Sequence, residues 1–266
     1  MAVRLGEILP LLEEIAPPAL AEPWDRVGLQ IGDPERPLRR VRVVLEATEA
    51  AVDEACRDGV DLLVVHHPLL FHPLARIDTA SAPGRILGAV LGRGLCLYAM
   101  HTNLDAAPGG LNDIFARRIG LGRVRPLVPR GIPGSGLGRW GVLARPRRLQ
   151  EIAAGLKREF QVPGVRVVGD PSRRIRRVAV CTGSGSGLVG DFLSSPAEVF
   201  ITGELRYHDA RDIEAAGKTA VDMGHFHSER WMPVAVAERL RRLLRRRRLA
   251  VAVDERCDEQ GPFQNG

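Results

Sequence analysis

The sequence has few of the residues that mark a disulfide framework, a zinc ribbon or a membrane protein. Only four of its 266 residues are cysteines, and no two of them form a CxxC pair. No apolar run approaches the roughly 20 residues that a membrane-spanning helix needs. The first residues, MAVRLGEILPLLEEIAP, carry acids where a signal peptide has a basic region and an apolar core. We therefore expect a soluble, cytoplasmic protein with no membrane partner.

Lysine is also scarce, since 36 of the 38 basic residues are arginine, and the positive charge is concentrated in the middle of the chain. Residues 123–177 carry 14 basic and three acidic side chains, a net charge of +11, whereas the rest of the chain has a net charge of −5. We interpret this segment as a solvated face. The alternative is a surface that attracts phosphate groups or nucleic acid. Nucleic acid is thus an alternative partner but not the favoured one.

Alternating strand and helix patterns predict an α/β protein with two lobes and mainly parallel sheets. The first lobe covers residues 1–122 and contains a βαβαβ pattern. Residues 123–147, rich in Pro, Gly and Arg, predict a basic connection between the lobes. The second α/β lobe covers residues 148–253, and the polar tail 254–266 is predicted to be frayed.

A glycine-rich run, GSGSG at 183–187, follows a predicted strand. We interpret it as a tight turn between a strand and a helix. The alternative is a loop whose backbone N–H groups cradle a phosphate, although the run lacks the Lys and Ser/Thr of a P-loop.

All seven histidines fall in or next to places where a predicted strand ends. That edge of an open α/β sheet is where ligands bind. His66 and His67 close VDLLVVHH, His101 follows LCLYAM, and His225 follows AVDMG. The remaining histidines lack a partner at ligand spacing, and we interpret them as structural residues or as supports for ligands. They are His72, His208 and His227.

Histidine together with carboxylate predicts a metal site for zinc, iron, manganese or cobalt. Calcium would use oxygen ligands alone, and a structural zinc site would normally use cysteine. Consecutive side chains diverge along a strand, so His66 and His67 are predicted to give one nitrogen each to two different ions. Two ions call for a bridging carboxylate, and Glu229, four residues after His225, is placed to supply it.

Two further residues complete the predicted centre. Asp105, four residues after His101, is predicted to be a terminal metal ligand. His101 itself is consistent both with a ligand and with a proton-transferring imidazole beside the metals. We assign it the catalytic role of moving a proton.

Five motifs follow one another along nearly the whole chain. They are PWDRVGLQIGD (23–33), VVHHPLLF (64–71), HTNLDAAPGGLND (101–113), ITGELRYHDA (201–210) and GHFHSE (224–229). In this order they resemble the NIF-three-like family, also labelled the GTP cyclohydrolase 1 type 2 family. The resemblance implies a two-lobed α/β protein with a dinuclear metal centre at the cleft between the lobes, assembled as a toroidal homohexamer. Its metal ligands match residues of this sequence one by one: His66, His67, Asp105, His225 and Glu229.

The leading functional hypothesis is a divalent-metal-dependent hydrolase. Two ions per chain would activate water, and the resemblance suggests a purine nucleotide such as GTP as substrate. One alternative is a non-catalytic metal-binding or metal-delivery protein with the same ligands, and another is a nucleic-acid-binding ring. If the hexamer forms, apolar side chains of the first or the last helix are expected to supply a subunit contact. These side chains are Leu5, Ile8 and Leu12, or Trp231, Val234 and Val236.

Overall fold

Within residues 2–263, which the computed structural model describes, the chain forms eleven strands and ten α-helices. The strands are β1 (Gly28–Ile31), β2 (Arg40–Val43), β3 (Leu62–Val65), β4 (Cys96–Ala99), β5 (Leu121–Pro129), β6 (Gly136–Arg148), β7 (Arg166–Val168), β8 (Arg174–Ser184), β9 (Val199–Glu204), β10 (Thr219–Asp222) and β11 (Ala252–Glu255). The helices are α1 (Leu5–Ile15), α2 (Glu49–Arg57), α3 (Ala82–Arg93), α4 (Thr102–Ala106), α5 (Leu111–Arg118), α6 (Leu149–Glu159), α7 (Val189–Ser194), α8 (Tyr207–Ala215), α9 (His225–Glu229) and α10 (Met232–Arg247). Among these residues, no helix is both long enough and apolar enough to cross a bilayer.

The chain divides into two compact units. Among the described residues, the first unit contains residues 2–104 together with Trp231–Glu259, and the second contains Asp105–Arg230 together with residues 260–263. The α/β class predicted from the sequence is confirmed. The boundaries differ from those predicted, because α10 and β11 return to the first unit instead of completing the second.

The first unit is built on a five-stranded sheet of order β1-β4-β3-β2-β11. Neighbours from β4 to β11 run parallel, and only β1 pairs antiparallel. Every residue of β3 and β4 is buried, as expected for strands covered on both faces. Thr48 caps α2 by accepting a hydrogen bond from the N–H of Ala51. The first sheet is therefore mainly parallel, and its βαβαβ order matches the prediction.

The apolar face of α1 belongs to the core of the first unit. Leu5, Ile8 and Leu12 are fully buried within the chain, and α1 packs against α10. The expectation that these side chains supply a subunit contact is therefore wrong. On the last helix, Val236 is also buried, whereas Trp231 and Val234 are half-buried.

The predicted tail, 254–266, begins inside the sheet. The last two residues of β11 belong to it, and β11 pairs parallel with β2. Farther on, the Glu259 carboxylate accepts hydrogen bonds from the N–H groups of Leu45 (2.8 Å) and Glu46 (3.0 Å). The prediction of fraying is therefore wrong for the first part of the tail, and residues 264–266 lie outside the described residues.

The second unit is built on a six-stranded sheet of order β5-β6-β8-β9-β10-β7. Its central strands β8, β9 and β10 run parallel, and the other pairs are antiparallel, so this sheet is mixed and not mainly parallel. The segment 123–147, predicted to be a connection, instead forms most of β5 and β6. The prediction counted Pro126 and Pro129 as loop residues. Both lie on the edge strand β5, where proline is tolerated. Gly136 has a φ of +150°, and a Cβ there would lie closer than 3.0 Å to the carbonyl oxygen of Val128.

Candidate metal centre

Three histidines meet at the carboxyl end of the sheet in the first unit. His66 and His67 directly follow β3, and His101 comes two residues after the neighbouring parallel strand β4. One ring nitrogen from each of the three lies within 4.8 Å of the others. His66 is buried, and the other two are half-buried. This histidine group could hold a metal ion.

Two of the imidazoles are oriented through Nδ1. The Nδ1 of His66 lies 2.7 Å from the carbonyl oxygen of Met100, and the Nδ1 of His67 lies 2.6 Å from the carboxylate of Glu46. A carbonyl only accepts, so His66 donates from Nδ1, and in the neutral ring its lone pair is on Nε2. Imidazoles that bind metals are usually held in this way.

Asp25 holds the third imidazole. Its carboxylate lies 2.9 Å from the Nδ1 of His101 and accepts hydrogen bonds from the N–H (3.0 Å) and the hydroxyl of Thr102. Burial raises the pKa of Asp25, but the hydrogen bonds from His101 and Thr102 outweigh it and hold the pKa at about 2. Asp25 is therefore an ionised, buried carboxylate that fixes one ring nitrogen of His101.

The tandem histidines do not diverge as predicted. The ring centroids of His66 and His67 are 4.8 Å apart, and they lie 5.3 and 5.4 Å from that of His101. The reason is that β3 ends at Val65, so the alternation of side chains along a strand does not extend to the pair. The argument that these two side chains diverge is therefore wrong for this pair. The assignment of His66 and His67 to different ions stays a prediction.

In the second unit, α9 brings the predicted pair of His225 and Glu229 together. The Nε2 of His225 lies 3.2 Å from a carboxylate oxygen of Glu229, and its Nδ1 lies 3.3 Å from the carboxylate of Glu204 at the end of β9. Glu229 is only 2% exposed. The i,i+4 spacing on a short helix thus places an imidazole beside a buried carboxylate.

Gly183, at the end of β8, makes room for this pair. Its φ is +63°, and a Cβ there would lie closer than 3.0 Å to the Oε1 of Glu229 and 3.3 Å from the Nε2 of His225. Its N–H donates to the hydroxyl of Ser228 at 2.8 Å. The first glycine of the GSGSG run therefore packs against a predicted ligand, which favours the tight-turn interpretation.

Asp105 also lies beside the end of β8. Its carboxylate accepts from the hydroxyl of Thr182 at 3.3 Å, and its carbonyl accepts from the side-chain amide of Asn112 at 3.2 Å. Burial raises the pKa of the neighbouring Cys181 thiol, and the carboxylates of Asp105 and Glu229 raise it further. The second unit thus gathers two of the predicted carboxylate ligands around one strand end.

Of the remaining histidines, His72 and His208 lie outside the histidine group, and His227 lies on α9 between His225 and Glu229. His72 is exposed beside Phe71, and His208 stacks edge-on against Tyr207. Burial and the charge of Arg230 lower the pKa of His227.

Two residues of the site, Asp25 and Glu46, were not predicted from the sequence. Glu46 could have been identified from the sequence, because it follows β2 at the same edge of the sheet as the histidines. Asp25 precedes the antiparallel strand β1, and only its place in the motif PWDRVGLQIGD marks it.

Comparisons with known proteins match both units of the chain. The model of the family described as Duf34/NIF3 (NGG1p interacting factor 3) matches residues 3–259. A relative named GTP cyclohydrolase 1 type 2 homolog, from Clostridium perfringens, is 32% identical over 243 residues, which cover 91% of this chain and 93% of the relative. Another relative of that name, from Streptomyces coelicolor, is 34% identical over 242 residues, covering 88% and 85%. The crystal structure of a Bacillus cereus protein related to NIF3 is 26% identical and covers 100% of this chain and 99% of that one, with a TM-score of 0.94.

Proposed function

The chain belongs to the Duf34/NIF3 family, and from this premise we propose that it is a divalent-metal-dependent hydrolase with a dinuclear centre. Two ions per chain, of zinc, iron, manganese or cobalt, are the proposed cofactors. The proposed substrate is a purine nucleotide such as GTP, because relatives carry the name GTP cyclohydrolase 1 type 2 homolog. The proposed metal ligands are those predicted from the sequence: His66, His67, Asp105, His225 and Glu229.

The histidine group of the first unit is the observation that carries this proposal. His66 and His67 supply imidazole nitrogens, which are ligands typical of zinc, iron and related ions, and a ring nitrogen of His101 lies within 4.8 Å of a nitrogen of each. Each of the three imidazoles has Nδ1 on an oxygen of the protein. Such contacts set the tautomer and the direction of a metal-binding imidazole. The residues present therefore fit a transition-metal ion.

The carboxylates of the second unit support the same proposal. Glu229 is almost completely buried, and burying a carboxylate is costly unless opposite charge accompanies it. A bound cation would offset that cost. Asp105 and Glu229 both contribute negative charge at the end of β8. This charge suits divalent cations better than an anionic ligand bound alone.

Divalent ions supply Lewis acidity and activate water near neutral pH. The chain's own residues then have two tasks. Asp25 stays ionised and holds the Nδ1 of His101, so that His101 can accept or release a proton at Nε2. The positive charge of the segment 123–177 is proposed to attract the phosphates of the substrate.

Metal analysis of anaerobically purified protein, followed by a nucleotide hydrolysis screen with each metal restored, tests this function. Glu229→Gln keeps the shape of the side chain but removes its charge, so we expect it to lose at least one metal and all turnover while remaining folded. His227→Ala, on the same helix, is the matched control and should keep both metals. A wild-type protein that holds metals but hydrolyses no nucleotide would instead indicate a non-catalytic metal-binding or metal-delivery protein.

The role of His101 can be separated from that of a ligand. If His101 transfers protons, His101→Asn should keep the metal content of the wild type and lose most of its turnover. Loss of metal in this variant would make His101 a ligand. Elemental analysis and single-turnover rates on the same preparation distinguish the two outcomes.

We also propose a homohexamer, on the family resemblance alone. The half-buried Trp231 and Val234 on α10 remain the candidate subunit contact. Light scattering at micromolar concentration tests the assembly, and a monomer would refute it. DNA binding that falls steeply with salt would favour the nucleic-acid-binding ring over the hydrolase.

A further inference from the structure

An exposed aromatic corner, formed by Trp24 and Phe71, lies beside the histidine group of the first unit. Trp24 is 54% exposed, and its ring meets that of Phe71 edge-on, with centroids 5.8 Å apart and planes at 61°. The centroid of His101 lies 6.1 Å from that of Trp24 and 6.2 Å from that of Phe71. One face of the corner therefore adjoins an imidazole of the candidate metal centre.

The backbone of Trp24 is held by the hydrogen-bond network that also orients His101. The N–H of Asp25 donates to the carbonyl oxygen of Glu22 at 2.9 Å, and the N–H of Glu22 donates to the hydroxyl of Thr102 at 2.9 Å. The Asp25 side chain bonds Thr102 and the Nδ1 of His101. Trp24 is thus an exposed indole between anchored neighbours, which presents a flat apolar face at a defined distance from the imidazole.

We infer that the aromatic corner binds the planar ring of the substrate, a purine or a similar nitrogen heterocycle, by stacking it on Trp24. This inference rests on the proposed function, because it names the part of the substrate that the site recognises. Nucleobases stack on aromatic side chains because every base has a π-face, and a flat, water-exposed indole is a ready platform. Placement beside His101 would hold the ring next to the group that moves the proton. Pockets that bind small molecules commonly combine such an apolar wall with a few directed polar groups.

A comparison of GTP with tripolyphosphate, which lacks the base, tests whether the aromatic corner binds a ring. We expect Trp24→Ala to weaken GTP binding by about 5- to 150-fold, which corresponds to the roughly 1–3 kcal/mol lost with one base–aromatic stack. Tripolyphosphate should bind the variant and the wild type equally. Trp24→Phe keeps an aromatic face and should retain most of the affinity for GTP. Titration calorimetry on metal-loaded protein measures all of these values.

Tyr207→Ala is the matched control for the loss of an exposed aromatic side chain. Tyr207 is 74% exposed on α8 and contacts the ring of His208, outside the histidine group. This variant should bind GTP like the wild type.

Tryptophan fluorescence gives a second test. GTP should quench the fluorescence of the wild type, but it should not quench the fluorescence of the other tryptophans that remain in Trp24→Phe.

The outcomes separate this inference from the proposed function. Unchanged GTP affinity in Trp24→Ala overturns the inference, as does a wild type that binds neither GTP nor ATP. If Trp24→Ala instead lowers the mass of the assembly and leaves GTP affinity intact, Trp24 is a subunit contact and the inference is also wrong. Protein that holds no metal but still binds GTP through Trp24 would refute the metal-dependent hydrolase and support the stacking site.

Discussion

Substitution of Gly183 by alanine should disturb the metal centre through a single added methyl group. The residue has a φ of +63°, and the left-handed region costs an L-residue roughly 1–2 kcal/mol. The new Cβ would also overlap the Oε1 of Glu229, so the carboxylate must shift from its present place, 3.2 Å from the Nε2 of His225. A hydrogen bond that involves a charged group contributes about 1.5–3 kcal/mol. We therefore expect the free energy of unfolding to fall by about 2.5–5 kcal/mol.

The same displacement should weaken metal binding by about 10- to 100-fold, the usual effect of disturbing the groups that orient a ligand. Gly187→Ala is the matched control, because it lies in the same GSGSG run, has an ordinary φ and would place its Cβ in open space. Urea denaturation measures the stability of both variants, and competition with a chelator measures metal affinity. If Gly183→Ala and Gly187→Ala behave alike in both assays, Gly183 does not shape the site in the way argued here.

Three further predictions concern the scaffold. Arg139 is 1% exposed, and its Nε lies 2.5 Å from the carboxylate of Asp113. Arg139→Met should therefore lower the free energy of unfolding, measured by urea denaturation, by about 3–5 kcal/mol. A loss below about 1 kcal/mol would contradict the importance of this buried pair. Burial raises the pKa of Asp254, but hydrogen bonds chiefly from Arg42 lower it more, so its contribution to stability is present above the unfolded pKa and is lost as pH falls through the folded pKa. Asp254→Asn should therefore cost about 2 kcal/mol at pH 7 and progressively less as the pH falls through the folded pKa of Asp254, and a pH-independent difference would refute this. Thr48→Ala should cost about 1 kcal/mol through loss of the α2 cap, and thermal unfolding identical to the wild type would refute it.

Elements that depend on local signals could be predicted from the sequence. Helix α2 begins where Thr48 supplies a cap, and β3 is a short run of buried aliphatic residues, so each can be recognised within about ten residues of chain. The spacing of His225 and Glu229 is local in the same sense, since four residues on a helix bring two side chains to one face.

Features that depend on distant partners could not be predicted. The segment 123–147 has the composition of a loop, but its strands β5 and β6 pair with each other, and β6 also pairs with β8, between 26 and 41 residues away along the chain. Strand β11 is short and half polar, and it pairs with β2, where Arg42 also bonds Asp254 at 2.5 Å across more than 200 residues of sequence. Asp25 likewise acquires its role from His101, which is 76 residues away.

One topological rule accounts for the histidines of both units and for the acidic residues Glu46 and Glu204 beside them. In the first sheet, Glu46, His67 and His101 follow the parallel strands β2, β3 and β4, and in the second sheet Glu204 and His225 lie at the ends of β9 and β10. The carboxyl ends of parallel neighbours meet at one edge, so short segments after each strand bring their side chains together without long loops. Glu46 and Glu204, which contact the Nδ1 atoms of His67 and His225, obey the same rule. Asp25 does not, because it comes from a turn before an antiparallel strand. Ligand positions are therefore set by the strands, whereas their protonation and orientation depend on contacts that only the folded chain creates.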